Sequence, residues 1–526
     1  MTLDEMARLL NASQPSGLPA IPIEGLAYHS RAVRPGDAFV CIPGTQVDGA
    51  RFAGEAIARG AAALIVEPGA LVPAEVPTLR VPNARKALAR LSAEMHGRPA
   101  DSMMVMGVTG TTGKTTTTHF CEAVLKAKGL NPGLIGSIHA RVGDTTRLLA
   151  NTTPESLELH GLLADMRHAG QDAVVMEVTS HALALDRVHG IHFDLAVFTN
   201  LSRHHIDFHG NLESYFRSKL RLFQNLGTRE RRLCPPFAVL NLDDPYTPRI
   251  VPTLRVPYIT YGLHPDSHVR AEEIVAHPGG VNFRVITPLG QRRVHLKLSG
   301  LFNVANALAA IATGLAQRVE LEDVLQAVES VTGVRGRFEL VREGQDFTTV
   351  VDYASTPDGL RCVLESARPI TPGRVILVFG CPGERDRGQR PLMGEIAGQN
   401  ADVVVLTSDN PRSESPASIL ADIRRGGVGT PATWEVELDR GLAISRAVAM
   451  AQPGDTLLIT GRGHETHQIL RDGAVPFDDL EVARQAVRLR LNRSGKRERR
   501  NASPTVWTER RRPTSAEMPA LLRDPR

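Results

Sequence analysis

At 526 residues, the chain is long enough to form about three domains, each with a core of its own. A composition of 42% hydrophobic and 22% charged residues with few aromatics reads as a soluble α/β protein, and the absence of an uninterrupted apolar run of about 18 residues excludes a membrane-spanning helix. The net charge of +4 does not point to nucleic acid: residues 493–526 alone hold ten Lys/Arg and four Asp/Glu, a net +6, which leaves −2 for the rest. In chain order, residues 1–97 alternate short strands ("AFVCIP", "AALIVE") with a helix around "FAGEAIARG" and are expected to form a small α/β domain. Residues 98–333 add apolar strands at "MMVMGVT", "AVVMEV", "LAVFTNL" and "FAVLNLDD", then a helix over 303–317, the alternation of a parallel sheet with helices on both faces. Residues 334–492 restart the pattern with "TTVVDYA", "RVILVFGC", "DVVVLTSD" and "DTLLITG" separated by helices, a second doubly wound, Rossmann-like unit with polar residues at its strand ends. Residues 493–526 are basic and rich in Pro and Ser, and are expected to be a disordered, solvated tail.

The amino terminus, "MTLDEMARLLNASQ", is acidic and amphipathic and lacks the basic start and apolar core of a signal peptide, so a cytoplasmic location is expected. The five cysteines are odd in number and show no CxxC spacing, which supports neither a disulfide framework nor a zinc site.

The stretch "MMVMGVTGTTGKTTTTHF" runs an apolar strand into glycines, a lysine and four threonines. Gly-rich turns bind phosphate through converging backbone N–H groups and a helix N-terminus, while a Lys reaches the terminal phosphates and a Ser or Thr hydroxyl reaches Mg²⁺. Gly113, Lys114 and Thr115 occupy those places, although Val108 stands where the general pattern has its first Gly. Polar groups follow other strands of this domain: Glu177 in "VVMEVTSHAL", His204, His205 and His209 in "NLSRHHIDFHG", and Lys219 on the expected helix "YFRSKLRLF". A carboxylate or imidazole at a strand end suits a metal that neutralises charge in phosphoryl transfer. Taken singly, Glu177 equally fits a helix cap, and each His a surface or hydrogen-bonded role.

Together, "GVTGTTGKTTTT", "NTTPESLELHGLL", "MEVTSHALALDRV", "FTNLSRHHIDFHGNLESYFRSKLRLF", "GLFNVANALAA", "GVRGRFELV", "VDYASTPDGL", "TSDNPRSE" and "ITGRGHETHQ" resemble the Mur ligase family, in order, over about residues 23–490. The family's loop has the form TGTxGKT, which accounts for the offset at Val108. Within the family, the motifs are most similar to the branch that adds the third residue of the peptidoglycan stem peptide. The resemblance implies three α/β domains and an ATP-dependent amide-forming ligase, with UDP-MurNAc-L-Ala-D-Glu, meso-diaminopimelate and ATP as substrates. It also implies two Mg²⁺ ions, CO₂ for lysine carbamylation, and a monomer that needs neither nucleic acid nor membrane insertion.

Residue by residue, the resemblance implies that Gly110, Thr111, Thr112, Gly113, Lys114, Thr115 and Thr116 cradle ATP, with Asn303 at adenine, Arg337 at the phosphates and Asp352 at the ribose. Lys114, Glu177, His205 and Lys219 are then the catalytic set, and Thr115, Glu177, His205 and carbamylated Lys219 the metal ligands. Ser30, Thr152, Thr153, Ser180 and Arg187 should contact the UDP-sugar peptide. Arg385, Asp409, Asn410, Pro411, Arg412, Gly461 and Glu465 should surround the incoming amino acid. Pro411 would favour a turn at "DNPR" whatever the function.

Six positions depart from the family pattern: His29 for Asp, His204 for Asp, Ser355 for His, Pro382 for Gly, Arg462 for Lys and His467 for Tyr. They spare the inferred metal ligands and the loop lysine, and are expected to bear on rate and substrate fit. Two other readings stay open on the sequence. One is a catalytically weak or regulatory paralogue that binds nucleotide and UDP-sugar; the other is a related ligase that adds L-lysine or another amino acid, or glutamate to folate.

Overall fold

The computed structural model describes residues 1–12, 20–44, 47–228 and 233–501, with side chains described as far as residue 493. Its last helix, Asp479–Asn501, runs into the segment read as a tail, and residues 502–526 lie outside the described residues. Three α/β units follow one another along the chain, with sheets of four, eleven and six strands.

The central sheet is built on the strand Met104–Thr109, six consecutive buried residues between the parallel strands Ala173–Glu177 and Leu195–Phe198. An apolar run without alternation is what a strand covered by helices on both faces requires. One face packs against the helices Lys114–Ala127 and Phe302–Ala316, the other against Ser156–His168 and Leu212–Gln224. Pairing of Val108 with Glu177 and of Thr109 with Phe198 brings three strand ends to one edge. Ligands of such sheets bind at that edge.

The sequence reading expects a parallel sheet here, and the structure adds antiparallel strands at both margins. Val269–His277, Gly280–Thr287 and Gly290–Leu296 form a meander at one margin, and Ala140–Val142 with Thr145–Arg147 a hairpin at the other. The strand Gly280–Thr287 alternates between fully and partly buried residues, as one covered face demands, and the short Pro-Gly-Gly and Pro-Leu-Gly turns allow only antiparallel returns.

In the C-terminal sheet the parallel order is Thr348–Asp352, Thr456–Thr460, Val375–Phe379, Val403–Leu406 and Thr433–Val436. Asp352 pairs with Thr460, so the loops carrying "DYAS", "GRGHE" and "DNPR" share one edge.

His160 sits on the helix Ser156–His168, which packs on Ala84–Met95 of the first unit. It is 1% exposed, and neither ring nitrogen has a hydrogen-bond partner among the described residues. Burial, with His96 nearby, pushes its pKa from the ordinary 6.5 down to about 4. The unfolded chain therefore takes up this proton before the folded one does. Stability present above about pH 6.5 is lost as pH falls toward 4, by about 3 kcal/mol from this group. His160→Leu is expected to flatten the fall in unfolding midpoint between pH 7 and 4.5; an unchanged slope would show that His160 carries none of it.

Candidate active site

Between Thr109 and the helix Lys114–Ala127 the chain turns through the phosphate-loop residues. Gly113 precedes the helix at φ 81°, and a Cβ there would collide with Asn306 Oδ1, as one at Gly110 would with Thr199 Oγ1. Only glycine meets both constraints. The neighbouring strand end braces the loop: Asn200 Oδ1 accepts from Thr112 N at 2.9 Å, and Thr199 Oγ1 donates to Thr112 O at 2.7 Å. Thr111 Oγ1 accepts from Ser202 N at 2.9 Å, and Thr116 is buried beneath. The first N–H groups of the helix have no intrahelical partner, so the loop presents donors and a positive helix end to an anion. Lys114 folds back over it, with Nζ donating to Gly110 O at 3.0 Å and Thr111 O at 2.8 Å. Thr115 Oγ1 accepts from Arg337 Nη2 at 3.1 Å, a contact across 222 positions that joins the C-terminal unit to the loop.

Asn303, expected at adenine, is fully buried; its Nδ2 donates to Ser299 O at 2.7 Å and its Oδ1 accepts from Asn306 Nδ2 at 2.9 Å. Asp352, expected at the ribose, accepts from Phe338 N and Ala354 N, both at 2.7 Å, which pins the backbone around Arg337.

Glu177 ends its strand 1% exposed, its Oε1 accepting from Ser137 N at 2.7 Å and Oε2 from Ser137 Oγ at 3.2 Å. Four of the residues expected at the sugar peptide gather around this strand end. Thr152 Oγ1 lies 3.1 Å from Ser137 Oγ, and Thr153 Oγ1 donates to Glu177 O at 2.8 Å. Arg187 Nη1 donates to Thr153 O at 3.0 Å, and Ser180 Oγ lies 3.0 Å from His209 Nε2. Glu155 Oε2 joins Arg187 at 3.3 Å to Arg85 of the first unit at 3.0 Å. Ser30 stands apart in the first unit, its Oγ donating to Glu55 Oε2 at 2.9 Å.

The rings of His204 and His205 stack with centroids 3.6 Å apart, and His181 lies edge-on to His205 at 4.5 Å. Burial, reinforced by the nearby lysines, pushes His204 down to about 3, and burial with His204 and His181 takes His205 lower still. Both are neutral at pH 7, the form in which imidazole ligates metal. Lys219, 2% exposed on the helix Leu212–Gln224, donates to Gly110 O at 2.7 Å and lies 4.4 Å above the Tyr215 ring. Burial, then Lys114, lowers its pKa well below the ordinary value.

Among the described residues no three His, Cys, Asp or Glu side chains converge as a metal cage. A Mg²⁺ ion arriving with phosphates needs none, because it keeps several waters and takes one or two protein oxygens. The hydroxyl of Thr115, in the first turn of the helix Lys114–Ala127, and the carboxylate of Glu177, at a strand end, are the hard oxygen donors it prefers, so the residues fit the ion.

In the C-terminal unit, Asn410 Nδ2 donates to Glu465 Oε2 at 2.8 Å, while its Oδ1 accepts from Arg462 Nη1 at 2.7 Å and Ile469 N at 2.8 Å. Arg412 sits at φ 55° with its backbone N donating to Ile469 O at 3.1 Å and Nη1 to Gly383 O at 3.2 Å. Pro411 O lies against Gly383, and a Cβ at Gly461 (φ 115°) would meet Asp409 Oδ2. Asp409 is buried with that oxygen unpartnered among the described residues, and burial raises its pKa to about 6. Arg385 is exposed nearby, close enough to His181 and His204 to depress both.

Three family profiles match the chain: "Mur ligase family, catalytic domain" at residues 22–96, "Mur ligase middle domain" at 108–314 and "Mur ligase, glutamate ligase domain" at 336–463. The UDP-N-acetylmuramoyl-L-alanyl-D-glutamate--2,6-diaminopimelate ligase of Geobacillus thermodenitrificans is 46% identical over 468 residues, 89% of this chain and 95% of that protein. The chain belongs to the Mur ligase family. The protein of the same name from Solibacter usitatus is 44% identical over 492 residues, 93% of this chain and 98% of its own. Among solved structures, a ligase of that name superposes with a TM-score of 0.65 at 30% identity, covering 93% of this chain and all of its own. A MurF ligase from Thermotoga maritima in complex with ADP, at 20% identity and a TM-score of 0.60, shares the fold.

Of the departures from the Mur ligase pattern, Arg462 is the most deeply embedded. It is fully buried and holds Asn410 on one side and, through Nη2, His467 O at 2.8 Å and Phe477 O at 3.1 Å on the other. His467 is exposed and contributes this carbonyl, and Pro382 O accepts from Arg390 at 3.4 Å. His204 supplies no anion, since an imidazole is neutral or, when protonated, cationic. Nothing in the structure accounts for His29 or Ser355. The sequence reading missed His181, Ser137, Glu55 and the fully buried pair Arg440–Asp479, 2.7 Å apart, which ties the strand ends at Ser408 O and Thr460 O. Arg440 and Asp479 look like surface charges in sequence, and only the "SHAL" His, four residues past Glu177, stood within a motif already singled out.

Proposed function

We infer that this chain is an ATP-dependent ligase that joins meso-diaminopimelate to the D-Glu carboxylate of UDP-MurNAc-L-Ala-D-Glu, acting in the cytoplasm. The observation that carries the reading is identity of 46% to a ligase of that name over 89% of this chain, with a phosphate loop and the "DNPR" and "GRGHE" loops all in place. ATP phosphorylates the D-Glu carboxylate, the amine of the third amino acid attacks the acyl phosphate, and phosphate leaves. No enzyme nucleophile is needed. Catalysis rests on orientation and on fixed charge at the transferring phosphoryl group.

Lys114 exchanges its two loop carbonyls for the β- and γ-phosphate oxygens, and Arg337 brings a second cation from the C-terminal unit. Thr152, Thr153, Ser180 and Arg187 orient the sugar peptide beside Glu177, and Ser30 in the first unit holds the uracil end. Thr115 and Glu177 hold one Mg²⁺, and His205 with Lys219, as its carbamate formed from CO₂, holds a second. When bound, the metal supplies neutralisation of phosphate charge.

The reading is tested by ADP release from the purified protein with UDP-MurNAc-L-Ala-D-Glu and a panel of amino acids. ADP formation that depends on both acceptors is expected. ATP binding without turnover would leave a regulatory paralogue, and dependence on glutamate and a folate would leave a sibling ligase.

The third amino acid is assigned through Arg412. Diaminopimelate and L-lysine share an L-amino-acid end and a distal amine, but diaminopimelate carries a second carboxylate that must find a cation as it leaves water. Arg412, fixed by its bonds to Gly383 and Ile469, offers a planar fork, and Asn410 beside it is held with its amide nitrogen toward Glu465. Lysine would leave the guanidinium uncompensated. Discrimination of about 10²-fold in kcat/KM is expected in wild type, and Arg412→Ala should collapse the ratio. A wild-type preference for lysine, or equal losses on both substrates, would contradict the assignment.

A further inference from the structure

His464 is assigned no role by the reading above, although it lies in "GRGHE" between Gly463 and Glu465. Its Nε2 lies 3.1 Å from Ser137 O, 327 positions away in the central unit. The carbonyl can only accept, so Nε2 carries the proton and donates. Ser137 in turn gives its backbone N and its hydroxyl to the two oxygens of Glu177. The ring is half-buried against Tyr353 at 5.0 Å, and Tyr353 lies under the Arg337 guanidinium at 4.6 Å. Arg337 completes the second bridge, to Thr115 Oγ1. Two of the contacts by which the C-terminal unit grips the central unit therefore lie at the proposed metal ligands. One is made to a residue proposed to ligate Mg²⁺, the other to the residue that fixes the second such ligand.

We propose that His464 is a positioning residue: its hydrogen bond to Ser137 O couples docking of the C-terminal unit to the orientation of Glu177. A donor at this spot holds the 136–138 segment against the Glu177 carboxylate and fixes which way its oxygens face. Without the bond from His464 to Ser137 O, the segment that holds the carboxylate loses its anchor to the C-terminal unit, and the carboxylate its fixed aim. The inference rests on the assignment of Glu177 to the metal. The segment passes so close to the carboxylate that only glycine fits at position 136, since a Cβ there would lie 2.6 Å from Glu177 Oε1.

The test compares His464→Ala and His464→Gln with wild type as full-length proteins. Glutamine retains an N–H donor at about the same reach; alanine does not. In the absence of substrates, hydrogen exchange at the Ser137 amide, whose proton is held by Glu177, is expected to quicken in His464→Ala and to stay near wild type in His464→Gln. The Mg²⁺ concentration for half-maximal ADP formation should rise about 10-fold in the alanine variant and much less in the glutamine variant, with unfolding midpoints of all three alike. Unchanged exchange at Ser137 in His464→Ala, or equal impairment of the two variants, would overturn the inference. Glu177→Gln separates it from the metal assignment: if that variant responds to Mg²⁺ as wild type does, the assignment fails, while the exchange result still decides whether His464 holds the segment.

Discussion

Lys114→Ala is expected to lower ADP formation by about 10³-fold or more while leaving the unfolding midpoint close to that of wild type. Lys114 Nζ now spends its protons on Gly110 O and Thr111 O, two carbonyls of the loop it belongs to. Those bonds satisfy an amine that burial would otherwise disfavour, and its pKa is lowered by that burial and only partly restored by Glu177. Phosphate oxygens are stronger acceptors than carbonyls, so an entering γ-phosphate should draw the amine outward and restore its charge. Charge that builds on the phosphoryl oxygens during transfer is then met by a cation already in place, an arrangement whose removal costs about 10² to 10³-fold in kcat for a single donor and more for a full charge. Truncation to alanine leaves Gly110 O still bonded to Lys219 Nζ and only Thr111 O without its lysine donor, which is why folding should be spared. Lys114→Ala turning over ATP at the wild-type rate would remove the phosphate-loop assignment altogether.

Legibility in the sequence followed the distance over which each feature is specified. The phosphate loop was readable because strand, glycines, lysine and helix are covalent neighbours, and its collision constraints at Gly110 and Gly113 leave only one residue type. The parallel strands were readable because burial on both faces writes an unbroken apolar run, as in Met104–Thr109. The meander Val269–Leu296 was missed, since its charged, half-exposed alternation resembles solvated loop until its partners are known. Contacts such as Arg337 to Thr115 and Asn410 to Glu465 join motifs that resemblance had already named, and the structure gives them partners. Ser137 had no such marking; it acts through Glu177 and His464, both far from it in the chain. Asp352 and Asn303 show a further limit, because their polar atoms already serve the backbone and a neighbouring asparagine, and sequence alone does not reveal such prior engagement.

Lys219→Ala is expected to be nearly inactive and to regain part of its activity with formate or acetate. The argument begins with the amine. Lys219 is 2% exposed, and burial together with Lys114 lowers its pKa well below 10.5, which favours the neutral amine with its free electron pair. Only the neutral amine can attack CO₂; the nitrogen gives up one proton and becomes the N–H of a carbamate. That remaining N–H can keep the 2.7 Å bond to Gly110 O, while the two new oxygens extend beyond it as an anion. An unmodified lysine could not serve there. As a cation it would repel both Mg²⁺ and Lys114; as an amine it would offer one nitrogen donor to an ion that prefers oxygen. Removing the side chain to alanine opens space of about the right size for a small carboxylate, which restores the anion without the tether and therefore only at high concentration. A carboxylate that rescues Lys219→Ala but not Lys114→Ala would mark the effect as one of local charge. If Lys219→Arg were instead fully active, or if no carboxylate rescued the alanine variant and bicarbonate removal left wild type unchanged, Lys219 would be a cationic prop for the phosphate loop and the second metal would have to be held by other means.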